Sequence, residues 1–276
     1  MQARWTLLID THLNKYGTRM FRDLCVYAKN HPGKYKAKDF FLSSILQNKQ
    51  FLDDFDEKKT ISDFQSVDEY YKQTDQEGLN VRSEVADFLT EEPPEKKEIS
   101  DNMIDLVKNA KSKVQIIQPY IQNIREFEDA LEDAMKRNVE VEIITARKRD
   151  QPIYASLLNS DLFRRLLKSG AKVYEEPYKF LHMKALSVDN KFLSIGSMNQ
   201  DNTSFYWNNE ANLLITKHKD EIEKIGSLMK FDKFFGKMKG QCIPVDPQEK
   251  YTPFGYIKSK FWKSMLTIHY YVMKNR

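Results

Sequence analysis

Apolar residues recur along this chain with two different periods, and the change between them divides it. "KDFFLSSILQNKQFLDDF" spaces its apolar positions at helical intervals, while the following "DEKKTISDFQSVDEYYKQTDQEG" is charged with thin periodicity. Residues 1 to about 90 therefore read as a helical, polar extension that carries no evident chemistry. "TEEPPEKKE", Thr90 to Glu98, combines paired prolines with charges and no apolar residue, and reads as a linker. "ISDNMIDLVKNAKS" then opens on a Ser-Asp cap. It sets Met103, Leu106, Val107 and Ala110 on one helical face.

From Lys113 the period shortens. "KVQIIQPYI" is a β-rich run stopped by Pro119, "FEDALEDAMKRN" is helical, and "VEVEIITA" alternates. "YASLLNSDLFRRLLKSG" is helical and ends on Gly170, where a C-cap glycine belongs, and "AKVYEE" is a further strand. Strand and helix in alternation predict an α/β layer with a largely parallel sheet. "HMKALSV" and "KFLSIGS" read as two strands joined across Asp189 and Asn190, a turn-forming pair. Alternation sends His182, Lys184, Leu186 and Val188 to one side of the first strand. "EANLLIT" is another strand and "DEIEKIGSLMKFDKFFGKM" a closing helix.

Composition narrows the picture modestly. With 276 residues and 41% apolar content, the chain can bury a substantial core in one large or two modest domains. The 44 basic and 40 acidic residues leave a net charge of only +4, so an anionic partner needs a local patch. Cys25 and Cys242 match no metal spacing, which favours a reducing compartment. No run of eighteen apolar residues predicts a spanning helix, and the acids Asp10 and Asp23 make the start a poor transit or secretory signal.

The chemistry lies between Phe180 and Glu210. Written as a pattern, the stretch is H-x-K-x4-D-x6-G-S-x-N: His182, Lys184, Asp189, Gly196, Ser197 and Asn199, with Asp201, Ser204, Asn208 and Glu210 following. A neutral imidazole, with a pKa near ~6.5, can attack phosphorus at physiological pH. A lysine on the same face can screen a non-bridging oxygen, and an asparagine can donate to it. The pattern resembles the HKD motif of the phospholipase D superfamily with every spacing intact. Over about Asn102 to Ile215 the chain resembles the run around the second motif of cardiolipin synthases and related phosphatidyltransferases. That resemblance implies a phospholipase D-like mixed sheet, a covalent phosphohistidine at His182, and no metal or cofactor. It also implies that Ser197 lies near the phosphate and that Glu210 orients a histidine. The motif aspartate, Asp189, it implies to be structural more than catalytic.

The family's chemistry, as the resemblance implies it, pairs two such motifs, one histidine attacking and the other protonating the leaving group. His12, His31, His218 and His269 have no lysine two residues on and no following GxxN, so the sequence supplies a single motif. The second could come from a homodimer partner or a separate first-motif chain. Otherwise the domain is a non-catalytic subunit of a larger membrane complex, and a single-motif nuclease is a further alternative. "YTPFGYIKSKFWKSMLTIHYYVMKNR" interleaves basic and aromatic residues without an acid, which suits an anionic membrane surface or a helix packed on a neighbour. Nucleic acid is disfavoured by the near-neutral balance. The expected organisation is a helical polar region and linker over 1–97, a phospholipase D-like domain over 98–240 and a basic-aromatic tail over 241–276. The expected partners are a phospholipid or membrane surface. The expected setting is an intracellular membrane, with the mitochondrial inner membrane or matrix side among the candidates.

Overall fold

The computed structural model describes residues 4–13, 20–29, 86–147, 162–216 and 226–246. Strand β1 (Arg4–Leu13) pairs antiparallel with β2 (Met20–Lys29), in a register running from Arg4↔Lys29 to Leu13↔Met20. The helical reading of the N-terminal region is corrected in these segments. Trp5, Thr6, Ile9 and Thr11, and then Phe21, Val26 and Tyr27, prefer strands. A ten-residue partner also satisfies backbone groups that local periodicity would have assigned to a helix. The helical expectation for residues 38–55 and the basic-aromatic segment 251–276 lie outside the described residues.

The main sheet has nine strands. In chain order these are β3 (Ala86–Glu92), β4 (Lys96–Lys97), β5 (Lys113–Gln118), β6 (Glu140–Ala146), β7 (Lys172–Glu176), β9 (Ala185–Val188), β10 (Phe192–Gly196), β11 (Glu210–Thr216) and β12 (Ile243–Pro244). The two-residue β8 (Phe180–Leu181) instead joins β2 in parallel. Across the sheet the order is β12-β7-β6-β5-β9-β10-β11-β3-β4. Strands β5, β6 and β7 are mutually parallel, and every other pairing is antiparallel.

Helices cover both faces. On one, Val114, Ile116, Val141, Ile143, Leu186 and Val188 meet three helical segments. These are α1 (Glu98–Lys108), α2 (Arg125–Lys136) and the helical residues 162–168. On the other, Ile117, Ile144, Ala185, Leu193 and Ile195 meet Phe231, Phe235 and Met238 of α4 (Gly226–Lys239). The central strands β5 and β6 are buried on both faces, so of the paired isoleucines in "QIIQ" and "EIIT" one faces each layer of helices. Each fully buried Ile, Leu or Phe contributes about 1.5–3 kcal/mol. Gly170, at φ +105, closes the helical residues 162–168 in the left-handed region.

Two further expectations are revised. Thr90 to Glu98 is no linker: β3 pairs with β11, and β4 folds back on β3 through Glu91↔Lys97 and Glu92↔Lys96. Pro93 and Pro94 sit in the turn of this edge hairpin, where a missing N–H costs nothing. The cap of α1 also comes from elsewhere than Ser100 and Asp101. Its first residue follows Lys97, which makes no side-chain cap bond. Glu91 of β3 instead accepts the Ile99 and Ser100 N–H groups at 2.9 and 3.0 Å, and the Ser100 hydroxyl at 2.5 Å. Burial holds that carboxyl above its usual range, against the lowering effect of these bonds. The sheet thus takes in residues upstream of 98, and β12 extends it past 240.

Candidate functional site

The site is assembled by register. Strands β5, β6 and β7 run the same way, so their C-terminal ends share one edge of the sheet. Strand β9 opposes β5, with Ile117↔Ala185 as the last pair, so β9 begins where β5 ends. The residues just before β9, His182 to Lys184, therefore emerge at that edge. Strand β10 ends there through Ile195↔Ala185, and β11 begins there, with Asn212 opposite Gly196. The segment 197–201 and Glu210 consequently share the edge with His182. Open α/β sheets place ligands outside the C-terminal ends of parallel strands.

His182 and Lys184 precede β9, although the alternation had placed them within a strand. The ladder is not wholly lost, because the Gly196 N–H still donates to the Lys184 carbonyl at 3.4 Å. The Lys184 ammonium donates to the His182 carbonyl at 2.6 Å, which ties the two motif residues together. Lys184 is only 7% exposed. The His182 ring stacks on Phe180 at 6.3 Å between centroids and 25° between planes, and Phe180 in turn meets Tyr120 at 6.5 Å.

Ser197, Ser204, Asn208 and Glu210 form one network. The buried Glu210 carboxylate accepts the Ser197 hydroxyl at 2.5 Å, the Ser204 hydroxyl at 2.7 Å and the Asn208 amide at 3.2 Å. The Asn199 N–H donates to the Ser204 hydroxyl at 3.3 Å. Asp201 caps the short helix α3 (Asn202–Tyr206), accepting the Ser204 N–H at 2.8 Å. Burial raises the Asp201 carboxyl, against the lowering influence of the Ser204 and Thr203 bonds and of the Lys184 charge.

Asp189 is not part of this group. It lies at the far end of the β9–β10 hairpin, about 16 Å of strand from Lys184. With Asn190 it forms a turn with positive φ at both positions, +54 and +52, which suits the twist of a two-residue hairpin. Its carboxylate accepts the N–H groups of Lys111 at 2.9 Å, Ser112 at 2.7 Å and Lys113 at 3.0 Å, and the Ser112 hydroxyl at 2.8 Å. Partial burial raises its pKa, but those bonds outweigh it and hold the carboxyl below its usual range. The hairpin is thereby pinned to the start of β5.

Other supporting groups were not singled out by the motif. Asn212 accepts the Met198 N–H at 3.2 Å and donates to the Ser194 hydroxyl at 3.0 Å, fixing the chain on either side of Gly196. A Cβ on Gly196 would lie 2.1 Å from Asn212 Oδ1 and 2.2 Å from the Ala211 carbonyl, so only glycine lets β10 approach β11 here. Gln118 donates to the Met198 carbonyl at 3.3 Å. The Gln122 N–H donates to the Gln200 carbonyl at 2.8 Å, and its side-chain oxygen accepts the Asn202 N–H at 3.2 Å. Inward polar residues on otherwise apolar strands, as at Asn212 and Gln118, were the available signal. Among the described residues, the buried side-chain oxygens of Gln118, Thr145, Asn199 and Gln200 have no hydrogen-bond partner. Such groups cost about 1–3 kcal/mol each, and these four lie beside the edge from which His182 emerges, a kind of local inconsistency that functional sites tolerate.

A family model described as "Cardiolipin synthase, PLD-like domain" matches residues 103–232, a stretch that contains every site residue named above. Over these residues the chain is similar to the phospholipase D superfamily. Within that superfamily its sequence is cardiolipin-synthase-like. It is 30% identical over 168 residues to a cardiolipin synthase 2 of Staphylococcus epidermidis, an alignment covering 60% of this chain and 33% of that protein. It is 34% identical over 114 residues to a cardiolipin synthase of Halalkalibacterium halodurans, covering 41% of this chain and 22% of that one. The chain thus spans about a third or less of these curated relatives' length. The solved phosphatidylserine synthase of Haemophilus influenzae shares the fold, with a TM-score of 0.64 at 16% identity, over 91% of this chain and 63% of that one. The mixed sheet flanked by helices is thus the phospholipase D-like sheet. Among the described residues no helix is long and apolar enough to cross a membrane.

Proposed function

We propose that this chain contributes one half of a phospholipase D-type phosphatidyltransferase, with His182 as its nucleophile. One observation carries the reading: His182 and Lys184 before β9, Ser197 and Asn199 after β10, and Glu210 at the start of β11 leave three strand ends at one edge of the sheet. In this reading an imidazole nitrogen of His182 attacks the phosphorus of a phospholipid, and the phosphorus–oxygen bond to the leaving alcohol breaks. The leaving oxygen takes a proton from an acid supplied by a second chain. An acceptor alcohol then gives its proton back to that group and attacks phosphorus, and the phosphorus–nitrogen bond breaks. The Lys184 ammonium neutralises a non-bridging oxygen, and Asn199 donates to it. Glu210, held by three donors, positions the 197–208 segment.

The need for a second acid follows from proton bookkeeping. Without an acid for the leaving group the rate falls by about 10²–10⁴, so a solitary copy is nearly inert. A homodimer partner or a separate first-motif chain meets the need, since either brings a second histidine to the same edge. The similarity to cardiolipin synthases supports a phosphatidyl group as cargo and a membrane as the setting.

The test uses labelled phosphatidylglycerol with the full chain and its co-purifying partner. Wild type should form an acid-labile phosphoenzyme and transfer product, and His182→Ala should do neither. Equal product from the two proteins removes the proposal.

A further inference from the structure

Among the described residues, three large apolar side chains stand exposed: Tyr178 at 82%, Ile243 at 45% and Trp207 at 42%. Single exposed apolar residues are ordinary. These three are not scattered. Tyr178 follows the end of β7 by two residues. Ile243 pairs with Glu175, next to the last residue of the same strand. Trp207 follows α3 and precedes the start of β11 by three residues. All three therefore fall at the edge from which His182 emerges.

Their spacing and charge point to one kind of partner. Five strand spacings separate β7 from β11, about 24 Å, and β9, which His182 precedes, lies between them. One aromatic thus stands on each flank of the site. Basic groups accompany both. Beside Tyr178 are Lys179 and Arg147, whose guanidinium donates to the Pro177 carbonyl at 3.3 Å. The nearby Glu176 carboxylate is buried and turned onto the Tyr178 and Lys179 N–H groups, at 3.1 and 3.3 Å. Beside Trp207, the Lys97 ammonium lies 5.0 Å from the centre of the Tyr206 ring. Amphipathic aromatics with lysine and arginine are the chemistry of the headgroup layer of an anionic bilayer.

We propose that this edge of the sheet seats on an anionic lipid surface, with Tyr178 and Trp207 entering the interface on either side of His182. Held this way, the site meets a phosphodiester at headgroup depth without the lipid leaving its layer. The proposal deepens the phosphatidyltransferase reading and rests on it for the identity of the reacting lipid.

The full chain carries three tryptophans, so Trp5→Phe with Trp262→Phe leaves Trp207 as the sole reporter. Vesicles of phosphatidylcholine with phosphatidylglycerol should shift its emission to the blue, and brominated lipid should quench it. Vesicles of phosphatidylcholine alone should do so weakly. Tyr178→Ser with Trp207→Ser in the otherwise wild-type chain should lower flotation with anionic vesicles about tenfold, as expected for losing two interfacial anchors. It should leave cleavage of a water-soluble phosphodiester unchanged. Absence of quenching, or unchanged flotation of the double variant, overturns the proposal. So does a double variant that shifts from dimer to monomer in sedimentation while still floating, which assigns the aromatics to a protein partner. Quenching without any transfer product defeats the phosphatidyltransferase reading and leaves the seating standing. Transfer without quenching does the reverse.

Discussion

Replacing Asp189 separates an anchoring role from a chemical one. Asp189→Gly removes four hydrogen bonds to the start of β5 and keeps the turn, since glycine adopts φ +54 without strain. A hydrogen bond to a charged group contributes about 1.5–3 kcal/mol. Water can replace part of each bond at this half-exposed place, so a loss of roughly 2–4 kcal/mol is expected for the set, well below the sum. Asp189→Ala should cost about 1 kcal/mol more, because it puts a Cβ in the left-handed region. Urea denaturation followed by circular dichroism, extrapolated linearly, measures both variants. The pH dependence is a second check. The folded-state pKa lies below the ordinary value, so the carboxylate's contribution is complete above about pH 4 and is lost as pH falls through the folded pKa. Asp189→Gly should therefore show a flatter acid limb than wild type. If both variants lie within about 0.5 kcal/mol of wild type, a value typical of surface substitutions, the anchoring argument is wrong. The same conclusion follows if the acid limb is unchanged.

Further outcomes follow from the same geometry. Gly196→Ala should destabilise by about 1–3 kcal/mol or more through the clash with Asn212 and Ala211, and soluble yield and urea midpoint will report it. Lys239→Met should cost about 3 kcal/mol, because it strands the buried Glu142 carboxylate. Lys239→Met with Glu142→Gln should recover part of that loss in a double-mutant cycle, and a purely additive cycle would refute the pairing. His182→Ala should abolish the acid-labile phosphoenzyme without changing the unfolding free energy from urea titration by more than about 1 kcal/mol.

The order of strands and helices over 113–146, and of the strands over 172–216 apart from the short β8, α3 and the residues just before β9, was legible from the local pattern of each segment. "FEDALEDAMK" and "EIIT" leave little choice. The hairpin turn was legible too, since Asp189 and Asn190 tolerate positive φ better than most residues. The N-terminal pairs were not. In β1 and β2 strand preference is realised only by ten residues of pairing with each other, and β3 depends on β11, which lies more than a hundred residues away. Likewise Glu91 caps a helix outside its own segment, a bond that no local capping rule describes.

For the site, the resemblance of one short stretch to the HKD motif was enough to nominate His182, Lys184, Ser197, Asn199 and Glu210, because their identities and intervals lie within it. Their convergence was not contained in that stretch. It depends on β9 opposing β5, on β10 and β11 turning back in step, and on Gly196 allowing the two to touch. Register is a long-range quantity, set by how two apolar faces bury together, and a one-residue slip would send Lys184 to the opposite face. The chain's own residues therefore decided which chemistry was on offer, while only packing decided that Asp189 would hold a hairpin and that Tyr178 and Trp207 would flank the same mouth.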